Sequence, residues 1–270
     1  MSVGDEVRPF VLILTDSLAF VGPRMAHPVD DPRLWPNVMA RALDADVEIF
    51  GDFGWTARDA WFALENDVCL WPVMCRADVV VLAVGSFDSA PQPLPSSLWK
   101  RIAMIRSPKM RRVMSAAHRR AVPLMAKVFS YLPGGGPVVL RPKLTTHFLR
   151  ESVMLLRQGR DCVPVVGMTP IVGRAKVYAG VHKGRAKAER AMRKWAVGAE
   201  IPLLDMAATV GDHMMSGRGN PDGMHMGWEG HTAVGVAFAD LLTGTLAVRS
   251  ATTGAPREEH DRFVGSPPRA

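Results

Sequence analysis

Asp222 and His225 stand three residues apart in Asp222-Gly223-Met224-His225, and Ser17 stands near the other end of the chain in Thr15-Asp16-Ser17-Leu18. An imidazole acts as a strong general base when a carboxylate holds its second ring nitrogen. The short Asp-to-His spacing lets one loop present both groups. A serine hydroxyl is a weak nucleophile until such a base lies beside it. The three residue types are the parts of a Ser-His-Asp acyl-transfer site. Ser17 would be the nucleophile, His225 the proton carrier, and Asp222 the group that fixes the imidazole tautomer.

Such a site needs a scaffold that joins the two ends of the chain. Ser17 directly follows the apolar run 10–14, which reads as a buried strand. A serine at the C-terminal edge of a first strand points into the crevice where open α/β sheets bind ligands. Five apolar runs have strand length: 10–15, 47–50, 79–84, 163–168 and 201–204. Helical patterns over 35–43, 57–69, 109–132, 184–197 and 228–246 alternate with them, and Thr56 is a good N-cap for the second. Alternation of this kind predicts an α/β fold, with a parallel sheet, helices on both faces and right-handed crossovers.

Other residues share the predicted sheet edge. A tetrahedral intermediate needs preorganised donors for its oxyanion. The backbone N–H of Ser17 is one candidate. Gly54, in the 51–59 segment after the second strand, is another, or else belongs to a plain βα turn. Gly85-Ser86-Phe87-Asp88 follows the third strand. Asp16, Gly85, Phe87 and Asp88 are the substrate-binding candidates; Asp16 also suits the nucleophile turn, and Asp88 also suits a helix cap. His231 reads as structural or surface. The histidines lack metal-ligand spacing, so neither a metal nor a resident cofactor is expected.

At 270 residues the chain accommodates one large domain, placed at 1–250, with a polar tail over 251–270. The proline-rich 89–97 and glycine-rich 132–146 segments bracket an Arg- and Met-rich stretch. It is expected to form an insertion over 89–150, as a cap on the strand ends or a peripheral hairpin. Met104, Met110, Met114 and Met125 would line an acyl slot there or pack helices. The apolar fraction of 48% and charged fraction of 22% are ordinary for a globular protein. No run spans a bilayer, and the acidic N-terminus is no signal peptide, so a cytoplasmic protein is expected. Cys69, Cys75 and Cys162 are expected reduced and half buried. The net charge of +7 is concentrated over 100–120 and 174–194. It forms a solvated face or attracts a polyanionic cosubstrate such as a coenzyme A thioester. Few aromatics interleave with these runs, which argues against nucleic acid as a partner.

In four blocks the chain resembles the SGNH (GDSL-type) hydrolase superfamily. Thr15-Asp16-Ser17-Leu18, Gly54, Gly85-Ser86-Phe87-Asp88 and Asp222-Gly223-Met224-His225 occur in that superfamily's order. The resemblance implies a three-layer α/β/α sandwich around a five-stranded, mostly parallel, flavodoxin-like sheet. Two positions depart from the pattern. Thr15 stands where glycine is usual, and Phe87 where an asparagine side chain usually joins the oxyanion hole. Phenylalanine donates no hydrogen bond, which points to an activated donor such as a thioester.

Leu-Thr-Asp-Ser-Leu, Gly-Asp-Phe-Gly-Trp-Thr-Ala-Arg-Asp, Val-Gly-Ser-Phe-Asp-Ser-Ala-Pro and Pro-Asp-Gly-Met-His-Met-Gly-Trp-Glu-Gly-His are similar to the mycobacterial diglucosylglycerate octanoyltransferase family. That resemblance implies transfer of an octanoyl group from octanoyl-CoA, or another acyl-CoA, to a glucose hydroxyl of a glucosylglycerate-type acceptor. The reaction would belong to methylglucose lipopolysaccharide biosynthesis. An esterase or carbohydrate deacetylase with the same triad is the alternative enzyme. A non-catalytic binding protein on the same fold is the alternative outside catalysis.

Overall fold

Successive residues of the first strand face opposite layers, and both layers are apolar. The computed structural model describes residues 8–94, 98, 101–102, 104–132, 136–159 and 163–253. Its strands are β1 (Phe10–Thr15), β2 (Asp46–Gly51), β3 (Val79–Ala83), β4 (Val165–Met168) and β5 (Leu203–Leu204). They lie in the order β2-β1-β3-β4-β5, and every pairing is parallel. The helices are α1 (Trp35–Leu43), α2 (Ala57–Asn66), α3 (Leu70–Arg76), α4 (Pro108–Phe129), α5 (Pro142–Gly159), α6 (Arg185–Ala199), α7 (Met206–Met215) and α8 (Trp228–Thr253).

Val11, Ile13, Val79 and Val81 pack with Trp35 and Met39 of α1, Val210 of α7 and Phe238 of α8. Leu12, Leu14, Val80 and Leu82 pack on the other face with Ala60 of α2, Val73 of α3, Leu149 of α5 and Met192 of α6. A sheet covered on both faces explains why its strands read as continuous apolar runs rather than alternating ones. The result is the three-layer sandwich. Trp35 and Phe238 stack at 4.8 Å and join α1 to α8. Thr56 and Asp59 form a capping box at the start of α2, the stop signal that ends the 51–56 loop.

The chain leaves β1 toward β2 on one side and continues from β3 on the other. This reversal leaves a crevice at the C-terminal end of β1, where Ser17 follows.

Several boundaries differ from the sequence expectation, each for a local reason. The fourth and fifth strands begin only at Val165 and Leu203, because Pro164 and Pro202 have no N–H to give the ladder. The helix expected over 57–69 stops at Asn66, where Asp67 turns and accepts from the Cys69 N–H at 2.9 Å, and a separate helix, α3, begins at Leu70. Cys69 and Cys75 are exposed rather than half buried, and Cys162 lies outside the described residues.

The expected 89–150 insertion divides. Helix α5 begins at Pro142 and packs on α2 and α6 as part of a layer. Helix α4 packs on the 3-10 turn Lys176–Tyr178. Helix α8 continues to Thr253, into the range expected as tail. Residues 1–7, with the acidic start, and 254–270 lie outside the described residues. Among the described residues, no helix is long and apolar enough to cross a membrane.

Candidate active site

Strand β1 hands the chain to a 3-10 turn, Ser17–Ala19, which places Ser17 at the crevice. Asp16 is buried and caps this turn, accepting from the Leu18 N–H at 3.0 Å. It accepts from the Phe87 N–H as well. Burial pushes its carboxyl up to about 6, against the pull of these bonds.

The partner loop comes from the chain's far end. Asp222 Oδ1 accepts from the N–H groups of Met224 at 2.7 Å and His225 at 3.1 Å. This closes an Asx turn that projects the imidazole. The Asp222 Oδ2 and His225 Nδ1 atoms are 2.6 Å apart, and His225 Nε2 is 2.9 Å from Ser17 Oγ. Burial disfavours the Asp222 charge, but the bonds from His225 and the Met224 N–H outweigh it and hold the carboxyl below its usual value. A charged Asp222 accepts a hydrogen bond from His225 Nδ1–H, which leaves the Nε2 lone pair facing the Ser17 hydroxyl. The structure therefore brings together Ser17, His225 and Asp222.

Two further contacts fix this loop. Asn220 donates its side-chain amide to the Gly22 carbonyl at 2.7 Å and accepts from the Asp222 N–H at 3.0 Å. Gly223 has φ 75°, and a Cβ there would lie 2.2 Å from the Arg174 carbonyl oxygen. Only glycine permits that approach.

A cleft opens beside Ser17 and His225. Its far wall comes from the loop between β4 and α6, which contributes Ile171, Tyr178, Val181 and His182, and Phe87 lines it too. The Arg185 Nε–H lies 3.1 Å from the Pro170 carbonyl and 3.2 Å from that of Ile171, and so braces this loop. Burial, reinforced by the Arg185 charge, lowers His182 to about 4. It is thus a neutral polar group in the wall, 2.9 Å from the Ser89 hydroxyl.

The remaining candidates separate. Phe87 and Asp16 line the cleft. Gly54 has φ 70° and lies against the Phe87 ring, which a Cβ would meet at 3.2 Å. Asp88 does not serve as a substrate ligand. It is fully buried, accepting from the Ala57 N–H at 3.1 Å and the Thr145 hydroxyl at 2.7 Å, so it caps α2 rather than the helix that follows it. Gly85 also fails to reach the cleft: it has φ 105° and packs on Met192. Met104, Met110 and Met114 are exposed, Met125 is half buried, and none of the four lines the cleft. His231 is structural and buried, bridging the Trp35 N–H and the Val21 carbonyl. Among the described residues no His, Cys, Asp and Glu group could hold a metal.

Sequence reasoning missed Asn220 and the whole β4–α6 wall. The Asn-Pro-Asp-Gly turn signature of 220–223 was available for the first. The wall is irregular and carries no periodic signal.

No family model matches the chain. It is 39% identical over 240 residues to the diglucosylglycerate octanoyltransferase of Mycolicibacterium hassiacum, spanning 89% of this chain and 95% of that protein. It is 36% identical over 252 residues to the protein of the same name from Mycobacterium tuberculosis, spanning 93% and 96%. The fold is similar to a lipase/acylhydrolase from Enterococcus faecalis (TM-score 0.55, 14% identity, 88% of this chain and 97% of that one). It is equally similar to the carbohydrate acetylesterase Est24 from Sinorhizobium meliloti (TM-score 0.55, 12% identity, 88% and 100%).

Proposed function

The chain belongs to the diglucosylglycerate octanoyltransferase family, and we propose that it moves an octanoyl group from octanoyl-CoA to a glucose hydroxyl of diglucosylglycerate through an acyl-serine. We place this reaction in the cytoplasm, within methylglucose lipopolysaccharide synthesis. The observation that carries the reading is the Asp222–His225–Ser17 chain of hydrogen bonds opening on a cleft with an apolar wall.

In this mechanism His225 Nε2 takes the Ser17 proton as Oγ attacks the thioester carbonyl. Asp222 stabilises the imidazolium that forms. The Ser17 N–H, at the cleft, holds the oxyanion; Gly54, which lies against the Phe87 ring rather than on the cleft lining, is the second donor by resemblance to the superfamily pattern. The C–S bond breaks, and the thiolate leaves with the proton held by His225. A sugar hydroxyl then gives its proton to His225 and attacks the acyl carbonyl, releasing Ser17.

Ile171, Tyr178 and Val181 suit the acyl chain. Burial at about 0.8 kcal/mol per methylene supplies several kcal/mol for an octanoyl tail. The same apolar wall excludes water, which is what separates transfer from hydrolysis.

Intact-protein mass spectrometry with octanoyl-CoA, with and without diglucosylglycerate, tests this. The expected result is one octanoyl adduct on the wild type, none on Ser17→Ala, and discharge onto the glucoside. Discharge to octanoic acid alone would make the protein a thioesterase instead.

A further inference from the structure

Helix α4 shows two different faces. Val122 and Ala126 are buried, and the helix packs on the turn Lys176–Tyr178, whose Tyr178 lines the catalytic cleft. The opposite face carries Met110, Met114, Ala117, Ala121, Leu124 and Val128, a strict 4-3-4-3-4 recurrence. Leu124 is 65% exposed, Met110 59% and Val128 56%. The helix has 22 residues, so the row runs along a rod of roughly 33 Å. Single exposed apolar residues need no explanation, but a continuous row of this kind does. Val113, 66% exposed, adjoins the row near its start; the rest keeps to alternating three- and four-residue steps, the seam one helix offers another, whereas a lipid surface takes a broader face.

The charges beside the seam identify the partner. Lys109, Arg120 and Lys127 run along one edge, with Arg112 and Arg119 beyond it and Arg111 on the other side of the seam, and all six are exposed. The helix contains no Asp or Glu. A second copy of this helix would bring cation against cation, which is costly. Pro123 lies off the seam, between its cationic edge and the buried face. The seam therefore fits an amphipathic helix with acidic flanks. Its position on the element that supports the cleft wall gives such a partner a task.

We propose that α4 docks an acidic helical carrier protein, which delivers the octanoyl group as a tethered thioester to the cleft. The inference rests on the acyl-serine reading above and adds a second form of donor. The chemistry is unchanged. Ser17 Oγ bonds to the carbonyl carbon, the carbon–sulfur bond breaks, His225 returns the serine proton to the thiolate, and the carrier departs as a free thiol.

The test uses the full chain, diglucosylglycerate, and two donors in parallel: octanoyl-CoA and octanoyl-loaded acyl carrier protein. It compares wild type with the double variant Arg120→Glu/Leu124→Ser. The expected result is transfer from both donors by the wild type. The variant should lose at least about tenfold in kcat/KM with the carrier and stay within about twofold with octanoyl-CoA. No transfer from the carrier while octanoyl-CoA serves would overturn the inference and leave the acyltransferase reading intact. So would an equal loss on both donors. Inactivity with both donors in the wild type would remove the acyltransferase reading itself, and this inference with it. Self-association, or binding to phosphatidylglycerol vesicles, abolished by the same variant would reassign the seam to a second copy or a lipid surface.

Discussion

Asn220 ties the two halves of the site together, its side-chain amide lying 2.7 Å from the Gly22 carbonyl. The bond crosses 198 residues of sequence. It joins the loop that carries Asp222 and His225 to the strand exit that carries Ser17, without touching either reacting atom. Asn220→Ala should leave the fold intact, lower kcat about 10- to 100-fold and leave KM nearly unchanged, since misplacement of this kind costs orientation rather than binding. Steady-state kinetics beside a thermal melt checks this; a large rise in KM with kcat preserved would show that the bond serves substrate binding.

Phe87 offers a second point of leverage. Its ring lies against Gly54 and lines the cleft, yet donates no hydrogen bond. If a missing donor restricts the site to activated esters, Phe87→Asn should raise the rate on a plain octanoyl oxygen ester about 10-fold or more and leave the thioester rate little changed. No gain on the oxygen ester would show that another group already supplies the donor.

The cleft wall sets chain length in our reading. Val181→Phe should shorten the slot, lowering kcat/KM for octanoyl-CoA about tenfold relative to butanoyl-CoA, because each methylene denied burial forfeits about 0.8 kcal/mol. An unchanged ratio in competition between the two donors would place the acyl chain elsewhere.

Asp88 gives the fold a pH dependence of defined sign. Burial raises its carboxyl to about 7, and the nearby Asp16 and Asp59 charges add to this against the bonds from Thr145 and the Ala57 N–H. Below the unfolded value near 3.8 both states hold the proton. Between there and about 7 the unfolded chain releases it while the folded protein keeps it, so Asp88's contribution to stability falls as pH rises. From pH 5 to 8 the loss from this residue is between about 2 and 3 kcal/mol. Asp88→Asn can still accept from Ala57 and meet Thr145. Urea unfolding of both proteins at pH 5 and pH 8 should show a smaller decline in the variant. Parallel behaviour of the two would mean that Asp88 is not protonated in the folded state.

The three side chains that the structure brings together were legible in the sequence because each sits next to a strong local signal. Ser17 ends an apolar run, and Asp222 and His225 share one turn. The central strands were legible for the same reason. What escaped was tertiary. Asp88 looks like any acid after a strand until Thr145 and Ala57 are brought to it across intervening helices. The methionines of 104–125 suggested an acyl slot by composition. The wall of the cleft beside Ser17 instead comes from an irregular loop braced by Arg185, and irregular loops have no period to read. The seam of α4 lies in the sequence as a heptad pattern, but only its exposure separates it from ordinary core packing.

Ser17 and His225 are separated by 208 positions and meet through the last layer helix and the loop before it. In our reading the hydroxyl gains its base only when the 220–225 loop closes on the end of β1, so nucleophilicity reports native tertiary structure: with that contact open, Ser17 is an ordinary alcohol.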